Sequence, residues 1–394
     1  MNKRTMTERV SWLGAVDWDR RLFDALIPLP DGTSYNAYLL KGSEATVLLD
    51  TVDPPMAPVL MKQLESVGRI DYIVSHHAEQ DHSGTIPIVL ERYPEAKVVV
   101  TPKAKGMLMD LLKLEDERFK VVKDGERLSL GDRTLQFLHT PWVHWPETMV
   151  SYLEEERILF SCDFFGSHLA TSNLYVVDEA RVYEAAKRYY AEIMMPFAAI
   201  ITKNLEKLQP LEIDVIAPSH GPVYDRPAFI VDAYKEWVTA PPRNKVVLPF
   251  VSMHGSTRTM VDRLTEALME RGVTVERFDL AVADIGKIAM ALVDAGTIVL
   301  GTPTVLTGPH PLAAYATVLT NALKPKARFL SVIGSYGWGG KAVETLASMI
   351  PRLKVEVLAP VLIKGLPRPE DLDKMDALAE TVAAKHREAG FEKP

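Results

Sequence analysis

Short apolar runs alternate with amphipathic stretches along roughly the first 240 residues. NAYLLKG (36–42), TVLLDT (46–51), DYIVS (71–75) and KVVVT (97–101) read as strands, and Pro55–Ser66 reads as a helix. The pattern predicts an α/β domain with several strands. The segment Thr239-Ala240-Pro241-Pro242-Arg243-Asn244 then places two prolines side by side, which can neither continue a helix nor donate to a ladder. It is the natural linker, and it predicts one domain over 1–240 and a second over 245–394. Beyond it the pattern restarts as KVVLPFV (245–251), a helix from about Thr257, a strand near VERFDL (275–280), then TIVLGTP, ARFLSVIG and VEVLAP separated by helical segments, with a closing amphipathic helix from Glu370 to about Ala389. Buried apolar strands alternating with helices predict a doubly wound parallel sheet. No internal repeat interrupts this order.

Composition narrows the function classes. A chain of 394 residues exceeds one ordinary core, and 47% hydrophobic with 25% charged residues is the balance of a globular protein. The start, MNKRTMTERVSW, lacks the apolar core of a secretory signal, and no apolar run is long enough to span a bilayer. A cytoplasmic address without membrane attachment is therefore expected. A net charge of -7 argues against nucleic acid as a partner. The single cysteine, Cys162, excludes an intramolecular disulfide, a four-thiolate iron site and a cysteine-ligated cluster within the chain.

The ten histidines carry more information. Ser75-His76-His77-Ala78-Glu79-Gln80-Asp81-His82-Ser83-Gly84 follows the apolar strand DYIVS and precedes a helix expected near Thr85. His77, Glu79, Asp81 and His82 combine imidazole nitrogen with carboxylate oxygen, a set suited to iron, manganese or zinc. A polar turn capping the next helix would explain Asp81 or Ser83, but not all four groups together. His144, Asp163 and His220 each lie at the end of a later apolar run, where α/β folds gather functional groups.

In the second half, the strand KVVLPFV runs into Ser252-Met253-His254-Gly255-Ser256-Thr257 at the start of a helix. Small hydroxyl residues and glycine at a helix N-terminus form a phosphate cradle of N–H groups, hydroxyls and the helix dipole. Two later loops follow strands: Gly301-Thr302-Pro303-Thr304-Val305-Leu306-Thr307 and Gly334-Ser335-Tyr336-Gly337-Trp338-Gly339-Gly340. Tyr336 and Trp338 among so many glycines and serines suit a flat aromatic ligand better than a core. No GxGxxG dinucleotide fingerprint follows a strand.

The first constellation resembles the metallo-β-lactamase superfamily pattern H-x-[EH]-x-D-H followed by a distant His, Asp and His, over most of residues 30–225. Gaps of 61, 18 and 56 residues separate His82, His144, Asp163 and His220. The three loops of the second half resemble those with which flavodoxins hold FMN. Together they resemble the flavodiiron proteins, an αββα sandwich followed by a flavodoxin-like domain. The resemblance implies that His77, Glu79 and His144 hold one iron, that Asp81, His82 and His220 hold the other, and that Asp163 bridges them. Glu79 separates this branch from the zinc hydrolases, which usually carry histidine there, since a hard anionic oxygen favours oxidised iron. The implied activity is reduction of dioxygen to water or of nitric oxide to nitrous oxide, in a head-to-tail homodimer or a dimer of dimers. Rubredoxin or another small carrier is the implied donor, because no donor module follows the flavodoxin-like part. Arg21-Leu22-Phe23-Asp24-Ala25-Leu26 stands where many members carry Phe-His-Gly near the iron pocket. The alternatives are a zinc hydrolase with an accessory flavodoxin domain and a non-catalytic electron carrier. His76 is expected at the surface or behind the ligands, and His139 and His168 are candidates for outer hydrogen bonds.

Overall fold

The strand Thr33–Lys41 is buried along all but its last residue, because both faces of its sheet are covered. Tyr35, Ala37 and Leu39 face one core, which holds Leu60, Leu64, Ile86, Val89, Ala104 and Leu108 from helical segments. Tyr38 and Leu40, on the opposite face, join Phe137, Met149, Leu153 and Phe160 of a second sheet. The period-two alternation of a strand thus feeds two cores from one segment. A computed structural model describes residues 2–393.

The first sheet has the spatial order Arg4–Thr5, Val10–Asp17, Thr33–Lys41, Thr46–Leu49, Tyr72–Val74, Lys97–Val100 and Phe119–Val121. The second runs Arg127–Ser129, Thr134–His139, Met149–Leu153, Ile158–Cys162 and Val215–Pro218. Tyr234, on the helix Pro227–Thr239, meets Phe164 and Phe165 edge-on just beyond the strand Ile158–Cys162. This is the αββα arrangement, with the sheets face to face and helices outside.

The other sheet is all parallel along its main path, in the order Thr274–Asp279, Lys245–Phe250, Thr297–Val305, Phe329–Tyr336, with Glu356–Val357 and Val361–Lys364 both beside the last. That is the flavodoxin-like order, whose switch point lies between Lys245–Phe250 and Thr297–Val305. One face is covered by Ser256–Glu270 and Pro369–Glu388, through Met260, Leu264 and Leu268 and through Met375, Leu378 and Val382.

The chain divides into two compact units. One comprises the residues up to Tyr189 with Phe197–Val238, and the other Tyr190–Pro196 with everything from Thr239 on. Among the described residues, no helix is long and apolar enough to cross a membrane.

Candidate metal centre and flavin cleft

Four strand ends deliver the candidate ligands. After Tyr72–Val74 the chain passes His77 and Glu79 and makes a single helical turn, Gln80–Ser83, that holds Asp81 and His82. The next helix starts only at Ile86, so the helix expected near Thr85 is preceded by a separate turn carrying two of the groups. Ser83 steadies that turn by donating its hydroxyl to the carbonyl of Ala78. His144 lies between Thr134–His139 and Met149–Leu153, Asp163 directly follows Ile158–Cys162, and His220 lies two residues beyond Val215–Pro218.

The structure brings all seven groups together. Glu79 Oε2 is 3.1 Å from both His77 Nε2 and His144 Nε2, and Asp163 Oδ2 is 3.4 and 3.3 Å from the same two nitrogens. On the other side Asp81 lies 3.3 Å from His82 Nε2 through Oδ1 and 3.2 Å from His220 Nε2 through Oδ2. Asp163 Oδ1 is 3.0 and 3.4 Å from those nitrogens. The aspartate therefore turns one oxygen to each set, and each set consists of two imidazoles and one further carboxylate.

These residues fit a pair of metal ions. Both oxygens of Asp81, both of Asp163 and the Nε2 of His82 are buried without an aligned hydrogen bond, a costly condition for polar atoms unless a cation satisfies them. The outward nitrogens of two ligand candidates are already engaged: His77 Nδ1 faces Glu147 Oε1 at 2.7 Å, and His220 Nδ1 donates to the Ser34 carbonyl at 2.7 Å. Both rings thus present Nε2 inward. Burial opposes charge on His144 and His220, but the carboxylates close to them, Asp163 first, outweigh it and raise the two to about 9 and about 10. Burial likewise disfavours ionised Glu79, yet hydrogen bonds from His144 and His77 hold it well below the usual range.

His76 is not at the surface. Its ring lies between Asp50 Oδ2 at 2.7 Å and Ser151 Oγ at 2.8 Å, and the backbone N–H of His76 donates to Asp50 Oδ1. Ser219, next to His220, donates to the same carboxylate, so Asp50 ties together the loops that carry the candidate ligands His77 and His220. His168 lies behind His220, ring centroids 4.7 Å apart, with its Nδ1 2.9 Å from Thr33 Oγ1. Burial first, and the neighbouring His220 next, keep it neutral. His139 is not part of the centre, since its Nε2 instead meets the carbonyl of Val122.

Asp24, in the segment that departs from Phe-His-Gly, is pushed up to about 6 by partial burial and by the charges of Glu79 and Asp81. It and Ala25 both have positive φ, so the segment bends sharply there. Sequence reasoning did not single out Asp50, Glu147 or Ser34. Asp50, at the end of the apolar run TVLL, and Glu147, three residues after His144, carried a positional signal, whereas Ser34 carried none.

In the other sheet, Met253, His254, Ser256, Thr257, Pro303, Thr304, Ser335, Tyr336, Gly337, Trp338 and Gly365 line a cleft of about 270 Å³ at the strand ends. The two later segments are less loop-like than their composition suggests. Thr297–Val305 and Phe329–Tyr336 stay paired through Thr302↔Gly334 and Pro303↔Ser335, and Val305 is still strand because it pairs antiparallel with Gly308 across a tight turn of Leu306 and Thr307, both at positive φ. Gly334 permits this pairing, because a Cβ there would sit 2.2 Å from the Thr302 carbonyl. Ser252 accepts from the Arg258 N–H, and Gly255, at φ +91°, precedes the helix Ser256–Glu270. Gly339 and Gly340 have positive φ, and the Lys341 N–H after them donates to the Thr307 carbonyl, which joins the two segments. Thr257 Oγ1 lies 3.2 Å from Ser335 Oγ across the cleft.

Comparison with known proteins gives a consistent picture. The ODP family beta lactamase model matches residues 33–221 and the flavodoxin model matches residues 248–377. A nitric oxide reductase of Moorella thermoacetica is 35% identical, over 96% of this chain and 98% of its own. The solved structure of rubredoxin oxygen:oxidoreductase from Desulfovibrio gigas is 32% identical and superposes with a TM-score of 0.94 over 98% of both chains. A flavodiiron protein from Giardia intestinalis is 27% identical, with a TM-score of 0.90 over 99% of both chains.

Proposed function

The chain belongs to the flavodiiron proteins, and from that premise we propose that it reduces dioxygen to water, nitric oxide to nitrous oxide, or both, at an iron pair fed by FMN. The observation that carries this reading is Asp163, whose two oxygens face two matched sets of ligands. His77, Glu79 and His144 would hold one iron, Asp81, His82 and His220 the other, and Asp163 both. When bound, two ferrous ions and reduced FMN supply the four electrons that convert dioxygen to two waters, or the two that couple two nitric oxide molecules into nitrous oxide. The protein's part is to hold the pair at the spacing two-metal chemistry needs, to keep imidazole Nε2 atoms inward, and to place Asp24 beside Glu79.

We assign the metal centre to residues 1–240 and FMN to residues 245–394. The phosphate is read as lying at Ser252–Thr257, with the ring against Pro303–Thr307 and Ser335–Gly340. The support is a cleft at the switch point whose walls come from all three segments.

Electrons come from a separate small carrier such as rubredoxin. We place the protein in the cytoplasm, where its buried free thiol Cys162 stays reduced. We infer a head-to-tail homodimer, or a dimer of such dimers, in which the flavin of one subunit serves the irons of the other. Exposed Trp18, Leu22, Leu26 and Trp142 in the first unit, and Met253, Leu306 and Trp338 around the flavin cleft, support this.

The decisive test is anaerobic reduction of the purified protein, metal analysis, and separate dioxygen and nitric oxide consumption assays. Iron as the bound metal, with turnover of at least one substrate, is expected. Zinc in both positions, or reduced protein that consumes neither gas, would overturn the reading.

A further inference from the structure

The ligand sets look alike at first. Each has two histidines, one carboxylate of its own and one oxygen of Asp163. What stands behind the ligands differs. Glu147 is buried with no exposed side-chain surface, its Oε1 2.7 Å from His77 Nδ1. The same oxygen accepts the Ala78 N–H at 2.9 Å, which fixes its orientation. Behind His220 there is only the neutral carbonyl of Ser34, and the outward nitrogen of His82 has no hydrogen-bond partner. Among the described residues, Glu147 is the one carboxylate hydrogen-bonded to the outward nitrogen of a ligand histidine.

An anionic acceptor on the far side of an imidazole pulls its N–H proton outward and leaves the inward nitrogen a stronger donor. In a buried, poorly screened setting the negative charge is also felt at the metal itself. Both effects favour the higher charge of a ferric over a ferrous ion, and both tighten binding.

We propose that Glu147 makes the two metal positions unequal, so that the His77–Glu79–His144 position binds iron more tightly and is the last to be reduced. This rests on the di-iron reading above. With dithionite as the electron source, the Asp81–His82–His220 position would accept the first electron and the position held by His77 the second. Glu147 acts through His77 and is a positioning residue, not a catalytic one.

The test is isotopic and needs no turnover. Metal-free protein receives one equivalent of a Mössbauer-active iron isotope, then one of a silent isotope, and is half-reduced with dithionite. The label is expected in the ferric member of the pair. A label found in the ferrous member, or shared evenly between the two, would overturn the proposal. Glu147→Gln keeps the acceptor oxygen but removes the charge. It is expected to weaken one iron by about 10–100-fold towards a chelator, leave the other unchanged, and lower the yield of the half-reduced pair. Equal loss of both irons, or an unchanged yield, would also count against it. Failure of the wild-type protein to take up two irons would instead overturn the di-iron reading itself.

Discussion

Asp163 Oδ1 and His82 Nε2 stand 3.0 Å apart without the alignment of a hydrogen bond, although both atoms are buried. Two ligands of one ion sit at such a separation. Because Asp163 has the same relation to the opposite set through its other oxygen, Asp163→Ala is expected to empty both metal positions rather than one. Metal analysis after reconstitution checks this. One tightly held iron in the variant would make Asp163 a terminal ligand.

Glu79 touches both histidines of its set through a single oxygen. Replacing it by histidine exchanges a hard anion for a neutral nitrogen, so Glu79→His should shift the bound metal from iron towards zinc and abolish reductase activity. Competitive loading with both metals gives the ratio. Unchanged iron content with retained turnover would remove Glu79 from the role assigned to it.

Thr257 is buried and Ser256 lines the cleft beside it. A hydrogen bond to a charged group is worth about 1.5–3 kcal/mol, so replacing both residues by alanine should weaken FMN retention by at least roughly 10-fold, with iron content unchanged. Flavin release on dilution measures it. Loss of iron together with flavin would show that the units are not independent.

Much of this was legible in the sequence because strand ends announce themselves: an apolar run stops and a histidine or aspartate follows, as at Ser161-Cys162-Asp163 and Pro218-Ser219-His220. Less legible was everything that depends on a partner distant in sequence. Asp50 reads as the end of TVLLD, and nothing local says that it will accept from His76 and Ser219. Glu147 needed the turn between Thr134–His139 and Met149–Leu153 before it could meet His77, 70 residues earlier. The segments assigned to FMN read as loops because glycine and proline are poor strand formers, whereas the parallel neighbours keep them paired through Pro303 and Ser335.

His386, which sequence reading left unremarked inside the closing helix, bolts that helix to its sheet. The side-chain amide of Asn244 donates to the Gly272 carbonyl, so its oxygen is free to accept from His386 Nδ1–H at 2.8 Å. That tautomer leaves Nε2 as the acceptor for the Thr297 hydroxyl at 2.7 Å. The neutral ring is therefore satisfied at both nitrogens, and burial pushes it down to about 4. An unfolded chain takes up a proton here near pH 6.5, while the folded chain resists until about pH 4. In that window the unfolded state binds more protons, so His386 contributes stability that is complete above about pH 6.5 and is lost as pH falls towards 4. His386→Asn keeps a donor for Asn244 but loses the Thr297 bond, at a cost of about 1 kcal/mol near pH 7.5. Its thermal midpoint for the flavin-binding unit should start lower than wild type and fall less steeply on acidification, so that the two curves converge. Parallel curves from pH 7.5 to 4 would show that His386 does not titrate with unfolding.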